Sequence, residues 1–179
     1  MNPQPFTLQP FPGTRPLSAL EIVGSIARCD HTLTLHYELR GELGTVVLPG
    51  PAEFPRRSDR LWEGTCFEFF LAPASSSQYW EFNLSPAGPW NVYAFRTYRQ
   101  GMKEEPTFAA LPFSVQRKPA SLLLTLNVDL SRLIPVDQAL DAAISAVIKN
   151  NDGGKIYWAL HHPGPHPDFH RRDAFIIKL

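Results

Sequence analysis

Helix signals are scarce in this chain. The best is Asp129-Leu130-Ser131-Arg132-Leu133-Ile134, and Pro135 stops it after about one turn, because proline lacks the N–H that would continue the ladder. Cysteine is scarce too. Cys29 and Cys66 are the only two, which excludes a disulfide framework and the close spacing of a cysteine zinc site. Neither sign of charge is in excess. With 17 basic and 17 acidic side chains the formal net charge is zero, so no cationic surplus exists to displace counterions from a nucleic acid, and DNA or RNA is not an expected partner. No apolar run approaches the roughly 20 residues a membrane helix requires. Residues 1–16, interrupted by Pro3, Pro5, Pro10, Pro12 and Pro16, lack the charged start and apolar centre of a secretory signal. The expectation is a cytoplasmic domain with no membrane partner; its oligomeric state is not written in the sequence. There is no Gly-x-Ser-x-Gly elbow, and Gly153-Gly154-Lys155-Ile156 lacks the leading glycine and the hydroxyl of a phosphate-binding loop.

Proline and aromatic residues, by contrast, are plentiful. Proline makes up 18 of 179 residues and aromatics 12%, a mixture that suits short strands joined by irregular loops. The length fits one domain, able to bury roughly 70% of its unfolded surface without a metal or disulfide staple. Residues 1–18 read as an extended, proline-rich arm and residues 19–179 as a single domain. In 32–40, Leu33, Leu35, Tyr37 and Leu39 alternate with Thr34, His36, Glu38 and Arg40, the pattern of a half-buried strand. Asp30-His31 joins it to residues 20–29 in a hairpin. Residues 121–130 alternate in the same way. Residues 142–150 are apolar on both faces and read as an interior strand, followed by the turn Asn151-Asp152-Gly153-Gly154 and a return through 156–160. Residues 173–179 give a last strand. Many short strands with turns between them predict an all-β protein, an antiparallel β-sandwich of jelly-roll or immunoglobulin-like type with few or no helices.

Residues 59–101 combine aromatics and acids more densely than a core requires. Phe67, Phe69 and Leu71 share one strand face; Cys66, Glu68 and Phe70 share the other. Glu68 therefore lies among aromatic neighbours and needs a donor or a cation. In the next strand Trp80, Phe82 and Leu84 face the core, while Tyr79, Glu81, Asn83 and Ser85 form a polar row. After Pro86-Ala87-Gly88-Pro89 come Trp90, Asn91 and Tyr93, with Arg99 beyond them. Flat rings beside amides and carboxylates suit sugars, whose apolar faces stack and whose hydroxyls take hydrogen bonds. A strand set with an aromatic core and a solvated outer face would give the same alternation, since strands are rich in Trp, Tyr and Phe in any case.

Three runs resemble a known family. They are 61–70 (LWEGTCFEFF), 79–91 (YWEFNLSPAGPWN), and 158–170 with its Trp158-Ala159-Leu160-His161-His162-Pro163 and Pro167-Asp168-Phe169-His170. In this order they resemble the DOMON-like group, which is related to the family 9 carbohydrate-binding modules. The resemblance spans most of the chain from about residue 20. It implies a β-sandwich with a ligand site for sugars or, in some branches, haem. Trp62 and Glu68 match the stacking aromatic and the polar contact of the sugar-binding modules. Trp158 stands where a second stacking ring is expected, although its parity with Ile156 and Leu160 reads as buried. Related modules can also carry Ca²⁺.

Candidate ligand-binding residues are accordingly Trp62, Glu63, Glu68, Tyr79, Glu81, Asn83, Trp90, Asn91, Tyr93, Arg99, Trp158, His162, Asp168 and His170, with no catalytic or metal residue assigned. His161, His162, His166 and His170 are dense enough to suggest a transition metal, but Pro163, Pro165 and Pro167 forbid the helix that would align them, so a hydrogen-bonded loop is expected, with His170 oriented beside Asp168. Haem would draw on Met102 and one of these histidines. An enzyme would draw on Glu63, Glu68 or Glu81 as acid and base on a glycoside. The expected function is non-catalytic binding of a saccharide or sugar-derived metabolite, with the haem module and the sugar-active enzyme as alternatives.

Overall fold

The computed structural model describes residues 2–13 and 20–179. Among them there is no α-helix. Three 3-10 turns, Leu43–Thr45, Leu61–Glu63 and Arg172–Ala174, are the only helical pieces. Twelve strands pair antiparallel in one sheet: β1 Gln4–Pro10, β2 Glu21–Cys29, β3 Thr32–Arg40, β4 Cys66–Pro73, β5 Tyr79–Leu84, β6 Trp90–Phe95, β7 Lys103–Glu104, β8 Phe113–Lys118, β9 Ser121–Asp129, β10 Leu140–Lys149, β11 Lys155–Ala159 and β12 Ile177–Lys178. Their order is β7-β6-β5-β4-β10-β11-β1-β2-β3-β9-β8, and β12 takes the stretch of β10 that β11 leaves open. Among the described residues no helix is long and apolar enough to cross a membrane.

The sheet curls until its two halves share one core. From β1, β2, β3 and β9 come Leu8, Ile22, Ile26, Leu35 and Leu124. From β4, β5, β6 and β10 come Phe69, Phe82, Val92 and Ile144. Every second residue of each strand points inward, which is the period a pleated strand imposes. Tyr37 spans the core. Its ring meets Phe67 at 5.1 Å, and its hydroxyl donates to the Glu68 carbonyl at 2.7 Å. One side thus pins the strand of the other that carries a candidate acid.

The proline-rich start is a strand of the sheet rather than an arm beside it. Residues 4–8 of β1 pair with β2, and residues 9–10 pair with β11. Each β1 residue is therefore paired on one side only, which is where a sheet tolerates residues such as Pro5 and Pro10 that have no N–H. Thr14–Ala19 lie outside the described residues. Phe6 packs across Gly24 onto Tyr37, ring centroids 5.5 Å apart. A Cβ on Gly24 would sit 1.9 Å from the His36 carbonyl oxygen and 2.4 Å from the Phe6 ring, so the close approach needs glycine.

Two other strand limits differ from the sequence pattern. The strand that opens at Trp90 ends at Phe95, short of the candidate Arg99, because 97–100 close a tight turn with Arg99 at φ 53° and Gly101 at φ 70°. The last strand shrinks to two residues, since a 3-10 turn at Arg172–Ala174 brings Phe175 under the second face of the sheet.

Candidate ligand-binding cavity

The outward face of β4, β5, β6 and β10 is covered rather than solvated. Phe70, Tyr79, Tyr93, Phe95, Ala143 and Phe175 form a second, smaller cluster there, with Trp62 and Phe169 packed on its edge. Between this cluster and the covering loops lies a cavity of about 320 Å³, lined by Trp62, Glu68, Glu81, Phe95, Arg99, Met102, Val147, Lys155, Tyr157, Pro167, Phe169 and His170. That is the low end of the size range of small-molecule sites.

Trp62 is placed by the 3-10 turn that precedes β4. Arg60 enters the turn in the left-handed region, φ 58°, and its N–H donates to Asp59 Oδ1 at 2.8 Å. The same oxygen accepts the Tyr93 hydroxyl at 2.5 Å, and the Tyr93 ring meets Trp62 at 5.8 Å. Lys155 Nζ donates to the Trp62 carbonyl at 3.0 Å. The ring is thus held from β6 and the backbone of the residue from β11.

Glu68 and Glu81 lie on one face of neighbouring strands, 3% and 4% exposed. In register, Glu68 pairs with Asn83 and Ser145, and Glu81 pairs with Phe70 and Tyr93. Asn83 Nδ2 donates to Glu81 Oε1 at 2.8 Å. Glu68 Oε1 and the Ser145 hydroxyl are buried without a hydrogen-bond partner. Burial, then the neighbouring Glu81, pushes the Glu68 carboxyl well above the usual carboxylate range. Burial raises Glu81 to about 7, although Asn83 and Arg99 act to lower it. Both acids therefore hold protons more tightly than an exposed carboxylate, Glu68 the more so.

His170 stands over them. Arg99 N–H donates to the Tyr79 hydroxyl at 3.1 Å, and that hydroxyl meets His170 Nδ1 at 2.8 Å. The tyrosine hydrogen is free to point at Nδ1, and in that arrangement a neutral ring carries its own proton on Nε2. Nε2 faces Glu81 Oε2 at 3.8 Å. Burial, reinforced by Arg99, lowers His170 to about 4, against the opposing effect of Asp168, so the ring is neutral at pH 7. Asp168 accepts from the Arg99 guanidinium at 2.8 Å and from His170 N at 3.2 Å. It orients the backbone of His170, while Tyr79 orients the ring.

Of the sequence-predicted residues, Trp62, Glu68, Glu81, Arg99 and His170 line the cavity. Tyr79, Asn83, Tyr93 and Asp168 hold them from behind. The others are elsewhere. Glu63 is exposed and paired with Arg60. Trp90 lies in the main core under the Arg57 guanidinium, 4.5 Å from its ring centre. Asn91 is tied to Arg57, Ser58, Tyr93 and Glu104. Trp158 points into the main core, as its parity required. His162 faces Gln9 O at 2.9 Å and packs on Phe11, beside β1. Among the described residues no group of three or more His, Cys, Asp or Glu is arranged to hold a metal ion. Met102, the candidate haem ligand, does line the cavity with His170.

Sequence reasoning missed Phe95, Val147, Lys155, Tyr157, Pro167 and Phe169. Lys155 and Tyr157 were detectable: if Ile156 and Trp158 face the core, their neighbours face the acids. Phe169 had no such signal, because it lies in an aperiodic loop.

No protein-family model matches the chain, and no curated protein matches it. Solved structures share its fold. A protein of Bacteroides uniformis, proposed to bind carbohydrate, aligns with a TM-score of 0.68 at 16% identity over 97% of this chain and 84% of its own. A family 9 carbohydrate-binding module of Caldicellulosiruptor kristjanssonii in complex with glucose aligns with a TM-score of 0.53 at 7% identity, over 84% of this chain and 71% of its own. A family 9 module of the same organism in complex with cellotriose gives 0.56 at 10%, over 92% and 75%. At these identities the likeness is one of fold.

Proposed function

We propose that this chain is a non-catalytic binding domain that holds a saccharide or sugar-derived metabolite in the cavity beside Trp62. The observation that carries this reading is the floor of the cavity. Glu68 Oε1 lacks a partner there, while Trp62, Tyr157 and Phe169 supply rings nearby. Unmet hydrogen-bonding capacity beneath aromatic surface is what a polyol with an apolar face would fill. In this reading Trp62 and Phe169 stack on the sugar, Phe169 taking the role the sequence suggested for Trp158. Glu68, Glu81 and His170 Nε2 bind hydroxyls. The fold is then a jelly-roll sandwich of the kind seen in the DOMON-like group, and the sugar complexes of the structural neighbours support the same ligand class. A monosaccharide and oligosaccharide panel followed by titration calorimetry tests it. One or more sugars should bind to the intact protein, and Trp62→Ala should weaken that binding at least about tenfold; a panel with no binder would refute the proposal.

One observation favours a second reading. Glu68 and Glu81 are two buried acids on one face whose environments raise them unequally, Glu68 well above the carboxylate range and Glu81 to about 7, as suits an acid and a base acting on a glycoside. Release of product from aryl glycosides, lost in both Glu68→Gln and Glu81→Gln, would establish the enzyme; equal turnover in both variants would dismiss it.

A further inference from the structure

We infer that the cavity selects a sugar bearing a protonated primary amine, with its ammonium group seated between the Glu68 and Glu81 carboxyls. The inference rests on the saccharide reading above and sharpens it to a chemical class.

Glu68 and Glu81 are buried acids without a direct ion pair to any arginine or lysine of the described residues. Both acids are nine-tenths or more buried, on one face of adjacent strands. The two cations that line the cavity reach the acids only through their field, Lys155 acting on Glu68 and Arg99 on Glu81, and both hydrogen-bond elsewhere. Arg99 is held by Asp168 at 2.8 Å, and Lys155 Nζ donates to the Trp62 carbonyl at 3.0 Å. The other groups beside the pair are Cys66 and Asn83 on their own strands, Ser145 and Tyr93 in register on the neighbouring strands, and a neutral His170. Two buried carboxyls so placed must either share a proton or receive a cation, because two desolvated negative charges side by side are costly.

The walls favour the cation. Trp62, Phe95, Tyr157 and Phe169 present rings to the cavity, and Met102 adds a polarisable sulfur. An ammonium offers three N–H donors and no acceptor, which matches acids whose open positions are all acceptors once ionised. A hydroxyl would leave one acid protonated. An N-acetylated amine would bring bulk and no charge. The pair therefore reads the presence of a free amino group, while the rings read the sugar.

The test titrates the full chain with D-glucosamine and D-galactosamine, with the neutral parents D-glucose and D-galactose, and with the two N-acetyl derivatives. At least one amino sugar should bind about tenfold or more tighter than its parent, the difference between a charge-assisted and a neutral hydrogen bond. Its binding should release about one proton, read from calorimetry in buffers of different ionisation heat, because a proton held by the pair must leave. Glu81→Gln, a nearly isosteric change, should bring the amino sugar down to the affinity that the same variant shows for the neutral parent. Equal affinity of the amino and parent sugars, or a preference that persists in Glu81→Gln, overturns the inference and leaves the saccharide reading standing. If neither class of sugar binds, both fall together.

Discussion

On one face of β4 and β5, Phe67, Phe69, Leu71, Trp80, Phe82 and Leu84 enter the common core. On the other, one residue out of step, stand Cys66, Glu68, Phe70, Tyr79, Glu81 and Asn83. All twelve are buried. Burial therefore does not distinguish core from site here; partnership does. The inner face is satisfied by contact, as in the Phe69–Phe82 stack at 4.3 Å. The outer face depends on hydrogen bonds, and one of its carboxyl oxygens has none. A buried polar group without a partner costs free energy that a packed apolar group does not. Its persistence marks the outer face as the one built for something else.

The contrast can be broken at its strongest point first. Phe82→Ala should cost about 3–5 kcal/mol in urea denaturation, the range for truncating a buried aromatic, while sugar affinity of the remaining folded protein stays unchanged. A loss of affinity without loss of stability would mean that the inner face also serves the ligand.

The second test is one of pH. Glu81 has a folded value of about 7, raised from an ordinary 4.5. Its contribution to stability is fully present below pH 4.5 and is lost as pH rises through 7. His170 runs the other way. Lowered to about 4 from 6.5, it contributes above pH 6.5 and loses that contribution as pH falls towards 4. Between these limits the two oppose one another. Glu81→Gln removes one of them, so the variant should gain on the wild type by about 2 kcal/mol or more as pH rises from 4.5 to 7. Denaturation midpoints at both ends of that window measure it, and a constant gap would show that Glu81 ionises normally.

Smaller effects sharpen the picture. Trp62→Ala should weaken sugar binding at least about tenfold, roughly 1.4 kcal/mol, with little change in melting temperature, since Trp62 lies at the edge of its cluster. Tyr79→Phe should lower stability by about 1 kcal/mol through the lost hydrogen bonds, and should release the His170 tautomer, visible as a shifted ring nitrogen resonance. Trp158→Phe should leave sugar affinity unaltered, because its ring faces the main core; weaker binding there would move the site to the other side of β11.

Much of the outer face could be read from the chain. The alternation around Glu68 and around Glu81 put both acids on one side of neighbouring strands, and the sheet register agrees. The same parity argued for burial of Trp158. By itself, though, alternation could not say whether a polar face meets water or a covering loop. It also gave no warning about Asn91 and Trp90. Asn91 shares the outward parity but is consumed by Arg57 and Tyr93, and Trp90 lies on the core side. The start of the chain was harder still. Prolines at 5 and 10 argue against a paired strand, and only a strand that splits its partners between β2 and β11 reconciles them with the sheet.

What the sequence determined by itself is the strand class and the sidedness of each strand, because a pleated backbone sends alternate residues to opposite faces whatever lies beyond them. What the tertiary structure decided is which loop closes over that face. Phe169 and His170 come from residues about a hundred positions away from Glu68 in the chain, and no local period encodes such a meeting. The cavity exists because the C-terminal loop folds back over β4 and β5, held there by Asp168 on Arg99 and by His170 on Tyr79. Long-range contacts of this kind are fixed by packing, and packing is a property of the whole fold.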